Sequence, residues 1–536
     1  MRKLILSTLF IILFGTISFA QRVKIDPYTG ANFAESCTSI VVGKNASTDG
    51  STMTSHTCDG NYRAWLNIAP RKKFATNHKD TVLWGLLNTE EVHDTRGVTV
   101  KGTIPSIPET YAYLNTAYPC MNEKQLAIGE ATFSGRGELI NTNGLFLIEE
   151  LERIVLQRTT TAREAIALIG KLVAEYGYGD EGETLTIIDP NETWMLEIVG
   201  SGTKGKPSAL WAAQRIPDDH VGITANISRI GEIDFNNPDY FMYSADLKDR
   251  SKKLGYWDGK ETFKFYKVSS GEKPFQIREF FVLNALAPSL KLSMDADELP
   301  FSVKPDKKVS PQQVLAFFRE TYEGTEWDMC KNLKVTVKTK DENGKDTTKV
   351  ITSPIVNNWS TRDFQNLANA LQPDAIKFNR TVAVCWCSYS QIIQCRSWLP
   401  DEIGAVAYFA FDNPGQSPRI PIYAGTLNLP ESFGVSGQFR YRTDAAQWQF
   451  REANRLAQVA WGKTRGAMES EVSAFETKMF TEMPALEERA QSLIKEGKAQ
   501  EAKELVTRYT HDFSAATMTR WQELKAKYWA RFARGF

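Results

Sequence analysis

Apolar and polar positions change rhythm several times along the chain, and each change predicts an element. β-Prone residues from Thr38 to Val42, the turn signal Asp49-Gly50 and a second run from Ser51 to Ser55 predict a hairpin near the start. A helix is predicted from about Leu147 to Arg158. Another opens at Thr161-x-x-Glu164, a capping-box pattern, places Ile166, Ile169, Val173 and Tyr176 on one face, and ends at Gly177. Short strands are predicted at Thr184 to Ile188, Thr193 to Val199 and Val221 to Ala225, the first two joined by a turn at Pro190-Asn191. Lys334 to Lys340 alternates Val or Thr with charge, and Asn343-Gly344 leads into Thr347 to Thr352, the pattern of an exposed hairpin. Val382 to Cys387 and Ala405 to Phe411 are predicted as buried strands, with Pro414, Pro418 and Pro421 marking the loop behind them. From Thr443, where Thr443-Asp444 is placed to cap a helix, the chain is rich in Ala, Glu, Lys, Arg and Leu, which predicts a helical C-terminal region. Helices between groups of antiparallel strands predict an α+β sandwich of sheets and helices rather than a parallel sheet.

The first residues have a different texture. Arg2 and Lys3 precede an apolar stretch from Leu4 to Phe14, and Ser18-Phe19-Ala20 has the small residues of a cleavage site. The expectation is a signal peptide over 1–20, with Gln21 the first exported residue; an uncleaved anchor is the alternative, opposed by the shortness of the run. Residues 21–36 carry Pro27 and Gly30 without a convincing strand or helix and are expected to be a removable propeptide.

Composition narrows the function. A chain of 536 residues with 42% hydrophobic content can bury a large core. Lys+Arg and Asp+Glu both total 64, so no strong global field draws the protein to nucleic acid or to an anionic membrane. Small-molecule partners are expected, with no stable membrane insertion once the leader is removed; a homo-oligomer stays open. Seven cysteines leave at least one thiol without an intramolecular partner. Cys385, Cys387 and Cys395 lack the fourth ligand of a structural zinc site and read as core thiols or one half of a disulfide.

Two runs, Gly177-Tyr-Gly179-Asp-Glu-Gly182 and Gly200-Ser-Gly202-Thr-Lys-Gly205, fit G-x-G-x-x-G, but neither has the strand before and helix behind that phosphate binding needs. No G-x-S-x-G elbow or H-E-x-x-H helix occurs, and the five histidines are scattered. That leaves Cys37. Taken alone, a buried structural cysteine is its ordinary reading. Its place just beyond the expected propeptide supports another. A cut between Ser36 and Cys37 would expose an α-amine of pKa ~7.7–8 beside a thiol of pKa ~8.5, so proton transfer between them is nearly balanced. One residue then supplies nucleophile and base, and no separate histidine is needed.

The run Cys37-Thr-Ser-Ile-Val-Val-Gly-Lys-Asn-Ala-Ser-Thr-Asp-Gly-Ser-Thr resembles the opening of mature C69-family dipeptidases, N-terminal-nucleophile hydrolases related to bile-salt hydrolases and penicillin V acylases. Asn122-Glu-Lys with Ala127-Ile-Gly-Glu-Ala-Thr, Trp194-Met-Leu-Glu-Ile-Val-Gly-Ser-Gly, Trp211-Ala-Ala-Gln-Arg-Ile-Pro-Asp-Asp and Trp398-Leu-Pro also resemble that family, in the expected order. The resemblance covers roughly Cys37 to Gly425 and implies a four-layer αββα core, with a catalytic domain over 37–442, an exposed hairpin insertion at about 331–353, and a helical region over 443–536. It also implies an exported dipeptidase that forms a thioester on Cys37, with small peptides as substrates and no cofactor. Asp59 matches the acid that orients the amine, and Asn226 the side-chain amide facing the oxyanion, with the backbone near Thr132 completing that hole. Relatives often carry arginine where His56 stands, so any charge His56 contributes is expected to be pH-dependent; it is a pocket candidate or an ordinary, partly exposed strand residue. Two alternatives remain: an amidase for N-acyl amino acids or bile-acid-type conjugates on the same fold, and an inactive secreted binding protein.

Overall fold

The computed structural model describes residues 36–203, 205–354 and 357–532; the expected leader and all but the last residue of the expected propeptide lie outside these. Two antiparallel sheets lie face to face. The first has seven strands in the order Ser302–Val303, Val221–Thr224, β1 (Ser36–Val42), β2 (Thr52–Asp59), Cys387–Cys395, Ala405–Phe411 and Ile420–Tyr423. The second has eight, centred on Ala127–Ser134, Gly182–Ile188, Thr193–Gly200 and Ala209–Ile216. β1 and β2 pack directly on Ala127–Ser134 and Gly182–Ile188 across the sandwich.

Helices close both outer faces. α1 (Ile148–Arg158) and α2 (Ala162–Tyr176) cover the second sheet; Ile277–Leu286, Pro311–Phe317, Ala446–Gln458 and Ala499–Phe532 cover the first. The order of layers is αββα: an α+β sandwich as the sequence pattern predicts, with the four layers that the resemblance implies. Thr161 and Glu164 form the reciprocal capping box at the start of α2, and Gly177 ends it at φ 85°. The C-terminal region is helical as expected: Ala446–Gln458, Trp461–Lys495 with Pro484 inside it, and Ala499–Phe532. Lys334–Lys340 and Asp346–Thr352 pair as the exposed hairpin.

The middle of the sandwich is lined by small hydroxyl residues. Thr186 Oγ1, on the second sheet, lies 2.6 Å from both Ser39 Oγ and Thr54 Oγ1 on the first. These bonds let the sheets approach closely without stranding polar atoms. A Cβ on Gly129 would lie 2.2 Å from the Ser55 carbonyl oxygen, so only glycine fits there.

Four details differ from the sequence reading. Val382 to Cys385 is buried but irregular, Trp386 is half-buried, and the strand starts at Cys387. Its carbonyls are taken by side chains instead of a ladder: Ala383 O accepts from Thr381 Oγ1 at 2.6 Å and from Trp359 Nε1 at 3.0 Å. Asp444 pairs with Arg442 at 2.6 Å and caps nothing; Ala445 is the N-cap. Pro421 lies within an edge strand, where its missing N–H breaks no ladder, and its carbonyl accepts from Thr510 Oγ1 at 2.8 Å. Asp49-Gly50 belongs to a longer loop, in which the Asp49 carboxylate gathers bonds from Ser47 and Ser51.

Candidate functional site

Cys37 is the second residue of β1 and is buried, at 1% exposure. On one side it is in register with Cys58 of β2. On the other, the neighbouring strand stops at Thr224, and a side chain replaces its ladder: Cys37 N–H donates to Asn226 Oδ1 at 2.9 Å. Asn226 reaches that position from φ 66°, a left-handed conformation that asparagine adopts more readily than most residues.

Arg278, from the helix Ile277–Leu286, locks this corner. Its Nη1 donates to Cys37 O at 2.6 Å and Thr38 Oγ1 at 3.0 Å, and its Nη2 to Ala225 O at 2.9 Å and Asn226 Oδ1 at 2.8 Å. With two donors on Oδ1, the Asn226 amide can point only one way. Nδ2 therefore faces the Thr132 carbonyl, at 2.6 Å. Burial, then the nearby Arg380 charge, pushes the Arg278 pKa down to about 10, which leaves it cationic at neutral pH.

A second arginine holds the residue before the cysteine. Arg380 Nη2 donates to Asp59 Oδ2 at 2.6 Å and to Ser36 Oγ at 2.6 Å, and Arg380 Nε donates to Ser36 Oγ at 3.2 Å. Asp59 Oδ2 also accepts from Thr57 Oγ1 at 2.9 Å, while Oδ1 has no partner among the described residues. Ser36 and Asp59 are in register at the end of the β1–β2 ladder.

The third group is acidic. Glu130 Oε1 accepts from Thr132 Oγ1 at 3.0 Å; Glu130 Oε2 is buried and has no hydrogen-bond partner among the described residues. Burial raises the Glu130 and Glu183 pKa values, and the Glu130 charge raises Glu183 further, so the two carboxyls disfavour ionising together. His56 donates through Nδ1 to the Glu130 carbonyl at 2.7 Å, and its Nε2 has no partner among the described residues. Enclosed beside Tyr118 and Tyr389, the imidazole is pushed down to about 4 by burial and is neutral at pH 7. Burial also raises the Cys37 thiol well above its ordinary value, and the Glu130 charge adds to that.

Of the residues singled out in the sequence, Cys37, Asn226 and Thr132 form one hydrogen-bonded chain, and Asp59 adjoins it through Ser36. His56 lies on the acidic side, against Glu130. Donor atoms of Cys37, His56 and Glu130 lie within 4.8 Å of one another, a thiol, imidazole and carboxylate set that could hold a zinc-like cation. The other six cysteines are buried as well. Sequence reasoning missed Arg278, Arg380, Glu130 and Glu183. A lone cation in the apolar helix Ile277–Leu286, and a glutamate inside the buried strand Ala127–Ser134, were usable signals. Arg380 offers none, because it meets Ser36 only through the fold.

A family model described as Peptidase family C69 matches residues 36–473. The chain is 27% identical to a "Probable dipeptidase" of Latilactobacillus sakei, over 74% of this chain and 76% of that protein. It is 25% identical to a "Probable dipeptidase B" of Lactococcus lactis subsp. lactis (strain IL1403), over 74% and 76%, and 24% identical to a "Probable dipeptidase A" of Streptococcus pyogenes serotype M1, over 79% and 82%. The match spans both sheets and the corner built around Cys37, and the chain belongs to peptidase family C69.

Proposed function

We propose that this protein is an exported cysteine dipeptidase that works from Cys37 as its first residue. The observation that carries the reading is the frame around the Cys37 main chain: its nitrogen is held by Asn226, its carbonyl by Arg278, and the residue ahead of it by Arg380. The leader-like pattern of residues 1–20 supports export, and the names of the relatives support a dipeptide substrate.

In the uncut chain the Cys37 nitrogen is an amide, and the buried thiol stays protonated. Cutting at Ser36–Cys37 turns that nitrogen into an amine. It takes the thiol proton as sulfur attacks the peptide carbonyl, then returns the proton to the leaving amine as the C–N bond breaks. Water resolves the thioester with the same amine as base. Asn226 Nδ2 carries two hydrogens; one goes to Thr132 O, which leaves the other for the oxyanion. The Thr132 carbonyl is an acceptor, so it positions this donor and does not itself bind the oxyanion. Asp59, fixed by Arg380 and Thr57, lies where it can orient the amine and offset its charge.

Mass spectrometry of the secreted product should find Cys37 at its start, and Cys37→Ala should lose dipeptide hydrolysis, keeping the upstream segment as well if the chain makes that cut itself. Full activity in Cys37→Ala would refute the reading, and faster turnover of N-acyl compounds would move it to an amidase.

A further inference from the structure

Resting on the dipeptidase reading above, we propose that two poles of opposite charge flank Cys37 and read the two ends of a dipeptide. Glu130, backed by Glu183, takes the free α-ammonium; Arg380 takes the α-carboxylate.

The acidic pole lies at the right range. In a thioester on Cys37, standard bond lengths put the acyl residue's amine about 3–4 Å from the sulfur. The Glu130 carboxylate lies within 4.8 Å of that sulfur, so an ammonium on the acyl residue comes within hydrogen-bonding distance of it. Glu130 Oε2 and Glu183 Oε2 are both buried without a partner among the described residues. Glu130 Oε2 lies 3.6 Å from His56 Nδ1, an imidazole that is neutral at pH 7, and neither Glu130 nor Glu183 pairs with a Lys or Arg among the described residues. A buried carboxylate without a cation is costly, and an incoming ammonium offsets that cost.

The same charge bears on the nucleophile. The Glu130 carboxylate, within 4.8 Å of the Cys37 sulfur, adds its charge to the burial that opposes thiolate formation there. A carboxylate beside a nucleophilic thiol slows it until a cation neutralises the carboxylate. Binding the ammonium of a substrate therefore does two things at once: it fixes the scissile carbonyl near sulfur and removes the repulsion that holds the proton on the thiol.

The basic pole is exposed by maturation itself. Two donors of Arg380, Nη2 and Nε, are spent on Ser36 Oγ, and both are released when Ser36 leaves. Asp59 keeps the guanidinium in place through Nη2. The free donors then lie where Ser36, the residue bonded to the Cys37 nitrogen, had been; that nitrogen protonates the leaving amino acid, whose carboxylate is one carbon away from its amine. A planar guanidinium suits a carboxylate there.

The test uses mature wild type, Glu130→Gln and Arg380→Gln, each verified by mass to begin at Cys37, on Ala-Ala, N-acetyl-Ala-Ala and Ala-Ala-amide. Glu130→Gln should raise the ratio of kcat/KM for N-acetyl-Ala-Ala over Ala-Ala by about 30-fold or more, and Arg380→Gln should do the same for Ala-Ala-amide over Ala-Ala. Adding free alaninamide should speed Cys37 alkylation in wild type and not in Glu130→Gln. If Glu130→Gln fails to mature, Glu183→Gln takes its place with the same expected shift. Unchanged ratios, whether every substrate falls together or none falls, overturn the two poles while a wild type that prefers Ala-Ala keeps the dipeptidase reading. A wild type that prefers N-acetyl-Ala-Ala overturns the dipeptidase reading itself.

Discussion

Asn226→Asp removes the oxyanion donor while keeping the acceptor that holds the Cys37 nitrogen. The aspartate keeps an oxygen for the Cys37 nitrogen at 2.9 Å and for Arg278 Nη2 at 2.8 Å, and it tolerates the backbone at φ 66°. The corner should therefore stay assembled, with Arg278 gaining an ion pair. What is lost is Nδ2, whose bond to Thr132 O at 2.6 Å becomes a contact between two acceptors, and whose second hydrogen served the oxyanion. Removing one such donor costs about 3–4 kcal/mol of barrier, or about 100- to 1,000-fold in kcat. The same donor serves the cut before Cys37 if the chain makes that cut itself, so processing should slow with turnover. Steady-state kinetics on a dipeptide, N-terminal mass and a thermal melt read the three effects separately. A folded Asn226→Asp enzyme with kcat within about threefold of wild type would remove Asn226 from the transition state.

Two further outcomes follow from the packing and the burial around the site. Gly129→Ala should cost about 2 kcal/mol or more in a denaturant melt, because its new methyl would lie 2.2 Å from Ser55 O and 2.7 Å from Thr186 Oγ1, and a central strand cannot move aside; an unchanged midpoint would show that the sheets can separate. His56 has a folded pKa of about 4 against 6.5 ordinarily, so the unfolded chain takes up the proton first. Stability present above pH 6.5 is then lost as pH falls toward 4, by about 3 kcal/mol. Glu130, Cys37 and the two tyrosines facing the ring are common to wild type and His56→Gln, so melts at pH 7.5 and pH 4 should show that difference between the proteins; parallel losses would mean that the imidazole is solvated.

Elements whose pattern is local were legible in the sequence: the capping box at Thr161, the charged hairpin from Lys334, the helices after Ala446. The strand Cys387–Cys395 was not, because every one of its residues is buried, with the helix Pro311–Phe317 packed against it. A strand enclosed that way has no polar side to alternate with, and its Ser388, Ser390, Gln391 and Gln394 read as surface residues. Apolar Val382 to Trp386 next to it drew the assignment instead. At the site, Cys37 was legible from its position, but its partners come from distant parts of the chain: Asn226 lies 189 residues on, Arg278 241, and Arg380 meets Ser36 across 344. Pairings at that separation leave no local trace unless a charge interrupts an apolar element, as Arg278 and Glu130 do.

The contacts of Cys37 divide unevenly across the bond that the proposed maturation breaks. Its carbonyl is held by Arg278, its nitrogen by Asn226, and its register with Cys58 continues into Thr38 opposite Thr57. All of these survive the cut. Upstream, Ser36 contributes its register with Asp59 and the bonds from Arg380 to its hydroxyl. Losing Ser36 therefore changes what the nitrogen is without moving where it is, and the nucleophile needs no reorganisation after processing. The new ammonium would be a costly charge in so buried a corner, but Asn226 Oδ1 already accepts from it, and Asp59 Oδ1 has no partner among the described residues until it appears. An acceptor left unpaired in the uncut chain costs stability there; if the new ammonium becomes its partner, Asp59 is part of what favours the cut form.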